Sequence, residues 1–308
     1  MNKPGTSRSQ AVDGILLLNK SRGLSSNQAL QRIKRLLNAK KAGHTGSLDP
    51  AATGMLPLCF GDATKVCAFL LNADKTYRVT AKLGVRTDTG DAEGNETGTA
   101  TVPELGPGDW DALLQGFLGE SMQIPPMYSA LKKDGKRLYE LARKGISVER
   151  EPRPIRVSEI ELLEYAGHRL VFRVRCSKGT YIRTLVEDLA EKAGTVAHTS
   201  HLHRESVGHF DCADMLTYED AEALAADSRD ALVHRLLAPD AALAEMPGII
   251  LDGESEQRFR EGMAVRTPSA VQQGLVRVYG PDGDGDFVGV GEVTDGSNIA
   301  PKRVFQRQ

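Results

Sequence analysis

The segment Gly43-His44-Thr45-Gly46-Ser47-Leu48-Asp49-Pro50-Ala51-Ala52-Thr53-Gly54-Met55-Leu56-Pro57-Leu58-Cys59-Phe60-Gly61-Asp62-Ala63-Thr64-Lys65 sets one aspartate among glycines and small residues, between two apolar elements. Polar residues in such a loop often serve function. Asp before Pro also marks plain turns, so the residues alone leave Asp49 open between a catalytic carboxylate and a turn residue. On the N-terminal side, Ser25-Ser26-Asn27 supplies helix caps, and Leu30, Ile33, Leu36 and Leu37 follow at helical spacing. The spacing predicts an amphipathic helix over 27–38. Its other face and exit are basic, with Arg32, Lys34, Arg35, Lys40 and Lys41. On the C-terminal side, Tyr77, Val79, Ala81 and Leu83 alternate with Thr76, Arg78, Thr80 and Lys82, the period of a half-buried strand. Tyr77 shares its apolar face.

Further along, Gly84 to Gly98 is rich in Thr, Asp and Gly and reads as a long polar loop, followed by a short helix carrying Trp110, Leu113, Leu114, Phe117 and Leu118. Residues 125–156 hold nine basic side chains, from Lys132 to Arg156, against four acids, a composition suited to a mobile arm that clamps an RNA backbone. Leu170, Phe172, Val174 and Cys176 alternate as another strand. Ser177-Lys178-Gly179-Thr180 then turns into a helix bearing Ile182, Leu185, Val186 and Leu189. Such a turn aims backbone N–H groups outward, where phosphate often binds. After Phe210 the chain becomes Ala- and Asp-rich, as in acidic surface helices. From about residue 250, short Val/Gly strands joined by Pro281-Asp282-Gly283 read as a small β-domain.

With 308 residues, 40% hydrophobic and 26% charged, the chain is an ordinary globular one, large enough for about two domains. The apolar run Ile15–Leu18 is too short for a signal-peptide core of roughly 7–15 residues, and no stretch approaches the ~18 that span a bilayer. The expectation is a cytoplasmic protein with no membrane association. Four cysteines, Cys59, Cys67, Cys176 and Cys212, form no C-x-x-C pair and read as reduced, packed thiols. The net charge of −2 hides an asymmetry: +7 over residues 1–210 and −9 over 211–308. Local potential governs association with phosphates, so the first part can bind RNA while the second repels it. Neither a Walker loop nor a dinucleotide fingerprint is present. Asp282, Asp284 and Asp286 open like a calcium loop, but Phe287 and Val293 stand where Gly and Glu are required, leaving a hairpin turn. His198, His201 and His203 lack a completing ligand for a metal.

The segment around Asp49 resembles the catalytic loop of the bacterial tRNA pseudouridine-55 synthases of the TruB type. Lys75-Thr76-Tyr77, Thr87-Asp88-Thr89-Gly90-Asp91, Pro125-Pro126-Met127-Tyr128-Ser129-Ala130-Leu131-Lys132, Cys176-Ser177-Lys178-Gly179-Thr180-Tyr181-Ile182-Arg183 and Leu202-His203-Arg204 are similar to that family's motifs in the same order. The resemblance covers roughly residues 12–210 and is looser beyond. Ser47, Ala51 and His203 depart from the usual Thr, Leu and Arg. The resemblance implies a mixed α/β (α+β) fold, a largely antiparallel sheet flanked by helices, over residues 1–249, and a PUA-like β-domain over 250–308.

The same resemblance implies a monomer that isomerises the uridine at position 55, in the T arm of tRNA, without a cofactor. Asp49 is then the catalytic carboxylate, attacking C1′ or taking a proton from C2′. Arg183 pairs with it and favours its charged form. Tyr77 stacks on the uracil and helps remove the C5 proton, while Tyr181 and Leu202 hold base or ribose. His44, five residues before Asp49, is the wedge against displaced nucleotides, and Lys20 and Lys65 pair with phosphate or loop acids. Two rivals remain. A nucleoside or glycoside hydrolase would draw a second acid from Asp88 or Asp91; a non-catalytic tRNA-binding or RNA-folding module would use the same basic surfaces.

Overall fold

Ile15, Leu16, Leu17 and Leu18 are all buried, which a strand achieves only with packed elements on both faces. That strand is β1 (Gly14–Lys20) in a computed structural model that describes residues 12–267, 271–283, 286–294 and 297–305. It is followed by α1 (Ser26–Leu36), β2 (Ala42–His44), β3 (Thr53–Phe60), α2 (Cys67–Asn72), β4 (Lys75–Leu83), β5 (Val85–Thr87) and β6 (Glu96–Thr99). Next come α3 (Pro107–Gln115), β7 (Gly119–Gln123), the short strands β8 (Lys132–Lys133) and β9 (Lys136–Arg137), and α4 (Leu138–Ala142). β10 (Arg153–Ala166), β11 (Arg169–Cys176), α5 (Ile182–Lys192) and β12 (Ala197–Val207) complete the main sheet, and α6 (Tyr218–Asp227) and α7 (Arg229–Val233) follow.

Eight strands form that sheet in the order β1-β3-β12-β4-β11-β10-β7, with β2 also paired to β3. All its pairings are antiparallel except β3 with β12, so the expected mixed, largely antiparallel sheet is present. The parallel contact is short, His203 opposite Thr53 and Arg204 opposite Gly54. Gly54 has φ +99°, and a Cβ there would lie 2.3 Å from the Arg204 carbonyl oxygen. Only glycine lets these backbones meet at this point.

One face of the sheet is covered by Leu30 and Ile33 of α1, Trp110 and Leu114 of α3, and Leu185 and Leu189 of α5. They pack on Leu16, Leu56, Val79, Phe172 and Val174, residues two apart on their strands. α1 starts where the caps predict: Ser25 accepts from the Gln28 N–H while the Gln28 side chain accepts from the Ser25 N–H, a capping box. On the opposite face Ile15, Leu17, Met55 and Cys59 meet Val66 and Leu70 near α2.

The tail contains β13 (Gly248–Ile250), α8 (Gly253–Arg260), β14 (Val265–Arg266), β15 (Gly274–Tyr279), β16 (Phe287–Val293) and β17 (Asn298–Val304), its five strands ordered β13-β15-β16-β17-β14. Val276, Val278, Val288 and Ile299 fill its own core, whereas Val290 and Phe305 join the cluster around Ile15 and Leu17. The expected β-domain is therefore present and is packed onto the main sheet. β15 and β16 form the expected hairpin, with Asp282 and Asp286 in its connection; Asp284 lies outside the described residues.

Three local expectations change. The Gly84–Gly98 segment is not all loop, because β5 and β6 pair across it. The Trp110 helix ends at Gln115 with Gly116 as its cap, leaving Phe117 and Leu118 beyond it. Cys212 is exposed rather than packed, while Cys59 and Cys176 are buried and Cys67 is half-buried. Among the described residues, no helix is long and apolar enough to cross a membrane.

Candidate active site

The loop between β2 and β3 carries Asp49 and is held from several sides. The Ser26 hydroxyl accepts from the Leu48 N–H at 2.7 Å and donates to the Leu48 carbonyl at 3.1 Å. The Gly23 N–H donates to the Pro50 carbonyl at 2.8 Å, and the Ala52 N–H donates to the Asp49 carbonyl at 3.0 Å. Lys20, 1% exposed, donates to the carbonyls of Ser21, Leu24 and Pro50. Its amine is turned inward onto backbone beside Asp49, and burial pulls it down to about 8, with Asp49 opposing.

Arg204 holds the loop from beneath. It is 1% exposed, and its Nε donates to the Met55 carbonyl at 2.6 Å while Nη2 donates to that of Gly46 at 3.1 Å. Gly46 has φ +100°, the left-handed conformation glycine adopts without strain. Lys75, also buried, donates to the carbonyls of Leu70, Leu71 and Ala73 and so satisfies the C-terminal end of α2. Burial draws its amine down to about 8.

Arg183 enters from the first turn of α5. Its side chain is only 6% exposed, and Nε lies 3.0 Å from Asp49 Oδ2. Nη1 donates to the Thr89 carbonyl and Nη2 to the Tyr128 carbonyl, each at 2.7 Å. Two backbone acceptors therefore fix the planar fork in the orientation that meets the carboxylate. Asp91 Oδ2 stands 4.0 Å from the same Nε. Its Oδ1 accepts from the Thr89 hydroxyl at 2.6 Å and the Glu93 N–H at 3.0 Å. Asp88 serves elsewhere, accepting from the Asn95 N–H to close its turn.

Asp49, Arg183, Asp91 and Leu202 line one cleft with Ala51, Ala52, Thr199, Ser200 and His201. Tyr77 is buried on β4 within reach of both Arg204 and Asp49; burial pushes its hydroxyl up, and the guanidinium opposes that. Tyr181 caps α5, its backbone gripped by Gln123, whose Oε1 accepts from the Tyr181 N–H at 2.8 Å and whose Nε2 donates to the Tyr181 carbonyl at 3.1 Å. Burial likewise raises the Tyr181 hydroxyl, against Ser129 and Arg183. His44 lies on β2, where burial and then Arg204 lower its imidazole, and its buried Nδ1 has no hydrogen-bond partner.

The structure thus groups Asp49, Arg183 and Leu202 in the cleft, sets Tyr77, Tyr181 and Lys20 close enough to feel the Asp49 charge, and places His44 beside Arg204. Lys65 lies apart: its Nζ bonds Asp62 at 2.7 Å and the Val304 carbonyl at 2.8 Å, and sits over the Phe305 ring. It ties the tail to the main sheet. In the sequence Gln123 carries no signal; Ser26 reads only as a cap candidate, and Lys75 and Arg204 only as members of motifs, with no role given to either. Lys75 had a visible signal, because it extends the buried register of Tyr77, Val79, Ala81 and Leu83 by one step. Among the histidines, His198 Nδ1 meets the Val85 carbonyl at 2.9 Å and His203 Nδ1 the Thr53 hydroxyl at 2.8 Å.

The basic arm is tied to the site through Tyr128. Leu138 is buried, and the Tyr128 carbonyl is the one held by Arg183. Lys132, Lys133, Lys136 and Arg137, on the paired β8 and β9, are exposed.

Residues 34–182 match the model of the TruB family pseudouridylate synthase N-terminal domain. Residues 183–244 match the tRNA pseudouridylate synthase B C-terminal domain, and 247–305 the pseudouridine synthase II TruB C-terminal model. The chain is 51% identical to the tRNA pseudouridine synthase B of Ectopseudomonas mendocina (strain ymp), over 96% of this chain and 95% of that protein. It is 47% identical to that of Nitrosococcus oceani over 100% and 99%. A chain in the crystal structure of a Cbf5-Nop10-Gar1 complex superposes with a TM-score of 0.74 at 25% identity, covering 96% of this chain and 86% of that one. The chain belongs to the TruB family of pseudouridylate synthases.

Proposed function

We propose that the protein converts uridine 55 in the T arm of tRNA to pseudouridine, with Asp49 as the reacting carboxylate. The relatives' name, tRNA pseudouridine synthase B, supports tRNA as substrate, and the observation that carries the chemistry is the Asp49–Arg183 pair at the mouth of the cleft. Arg183 holds Oδ2, while Oδ1 has no hydrogen bond among the described residues and the side chain is 44% exposed. A charged oxygen is thereby presented to an incoming ribose.

The reaction breaks C1′–N1, turns the uracil, joins C1′ to C5, moves a proton from C5 and restores one to N1. Product and substrate are isomers. Asp49 starts the reaction by attacking C1′ or by taking a proton from C2′. Tyr77 supports the detached ring and its hydroxyl helps remove the C5 proton; Tyr181 and Leu202 border base and ribose. A uridine stacked in a folded T loop must first be extruded, at a cost of a few kcal/mol that stacking and phosphate contacts offset. His44 is the proposed wedge, Lys20 braces the loop through Pro50, and the exposed bases of the arm meet the backbone.

The hydrolase reading needs a second free carboxylate. Asp91 is the one in the cleft, and its Oδ1 is engaged by Thr89 and Glu93. Incubating the protein with unmodified tRNA and mapping pseudouridine separates the readings: pseudouridine at position 55 with no free uracil is expected. Released uracil, or unmodified tRNA that binds, would overturn the proposal.

A further inference from the structure

Outside the cleft, two sulfurs meet behind the strand that leads into the catalytic loop. Cys59 is fully buried on β3, where the antiparallel register sets it opposite Gly43 of β2. Side chains at paired positions share a face, with Cβ atoms about 4.5–5.5 Å apart. A Cβ added to Gly43 would lie 3.6 Å from the sulfur of Cys67, the first residue of α2. The Cys67 sulfur therefore occupies the space above Gly43, on the side of Cys59, close enough for the two thiols to influence each other's protonation. Both contact the apolar cluster around Ile15 and Leu17, with Cys67 at its half-buried edge.

We propose that Cys67 and Cys59 form a dithiol modification site that captures low-molecular-weight disulfides and closes to an intramolecular disulfide. The two sulfurs have unequal environments. Donation from Cys59 favours the Cys67 thiolate, burial opposes it, and the Lys41 charge assists; the same bond and burial hold the proton on Cys59. Cys67 is thus the attacking group. Its thiolate forms a bond to one sulfur of the small disulfide, and the other sulfur leaves as a thiolate with the bonding pair. The negative neighbour that kept Cys59 protonated is then gone. Cys59 gives up its proton, attacks the Cys67 sulfur and expels the second small thiolate. Two protein thiols are oxidised, and one small disulfide is reduced to two thiols.

The other cysteines do not compete as a pair. Cys176 is buried, which pushes its thiol up to about 12, and Cys212 stands exposed on the 212–214 turn.

The test uses the full chain treated with glutathione disulfide, then alkylated, digested with trypsin and read by mass spectrometry. Cleavage after Lys41, Lys65 and Lys75 leaves Cys59 in peptide 42–65 and Cys67 in peptide 66–75. The expected product is these two peptides joined, reversed by dithiothreitol. In Cys59→Ser the expected product is a persistent glutathione adduct on Cys67, and in Cys67→Ser the absence of both link and adduct. A stable adduct on wild-type Cys67 with Cys59 alkylated, or modification confined to Cys212, would overturn the proposal. So would an adduct on Cys59 in Cys67→Ser.

Discussion

Tyr77 has two proposed roles that a single atom separates. Its ring is buried in the apolar face of β4, and its hydroxyl faces Arg204 with Asp49 nearby. Tyr77→Phe keeps the ring and removes the hydroxyl. The expected result is tRNA affinity unchanged within about twofold and single-turnover formation of pseudouridine slowed by about 10²–10⁴-fold, the usual worth of a positioned acid or base. A rate equal to wild type would reduce Tyr77 to a stacking surface. At this scale the ordered motifs singled out Asp49, Tyr77 and Arg183, which the structure brings near one another. The motif Leu202-His203-Arg204 named Arg204 but not its task, which is to satisfy the Gly46 and Met55 carbonyls, backbone groups about 150 positions earlier. Lys65 was expected to pair with phosphate or loop acids; it pairs with the nearby Asp62 and also reaches the tail through the Val304 carbonyl.

The elements that position the site contain buried lysines, and these have a pH signature. Lys20 and Lys75 titrate near 8 in the fold, against the ordinary 10.5 that the unfolded chain restores. Between about pH 8 and 10.5 the unfolded state binds more protons, so this contribution adds stability as pH rises and is a penalty below pH 8. At about 1.36 kcal/mol per pK unit it reaches at most roughly 3 kcal/mol per lysine. Urea unfolding of wild type and Lys20→Met at pH 7.5 and 10 should show a smaller rise in the variant; parallel curves would contradict it. Element by element, β4, β11, α1 and α5 were legible because their apolar periods are unbroken. β10 was not, since Arg153, Arg156, Glu159, Glu161 and Glu164 interrupt a 14-residue strand that faces solvent on one side. The β5–β6 hairpin was read as loop because Thr, Asp and Gly dominate it, and its pairing is a tertiary outcome.

Across the whole molecule, positive charge lies with the catalytic unit and negative charge with the rest. Binding to tRNA should therefore weaken with salt, and each basic side chain withdrawn from a phosphate should flatten the log–log slope by about 0.7–0.9. Substituting Lys132, Lys136 and Arg137 with alanine tests this by filter binding across 50–200 mM salt; an unchanged slope would remove the arm from the interface. The tail cannot be read as a detachable appendage. Val290 and Phe305 share a core with Ile15, Leu17 and Met55, so deleting residues 250–308 uncovers that face. The expected consequence is a lower thermal midpoint, and a truncated chain as stable as the parent would show the shared core to be idle. The β-rich tail was legible from its short Val/Gly strands, whereas this shared core was not, because its residues are isolated apolar positions on distant strands.

The central claim is a charged oxygen at position 49 that reacts with an extruded ribose. Asp49→Asn preserves size and removes the charge, and tRNA binding and pseudouridine content measured on the same preparation test it most directly. Binding close to wild type with no pseudouridine is the expected result; modification at the wild-type rate would contradict the account.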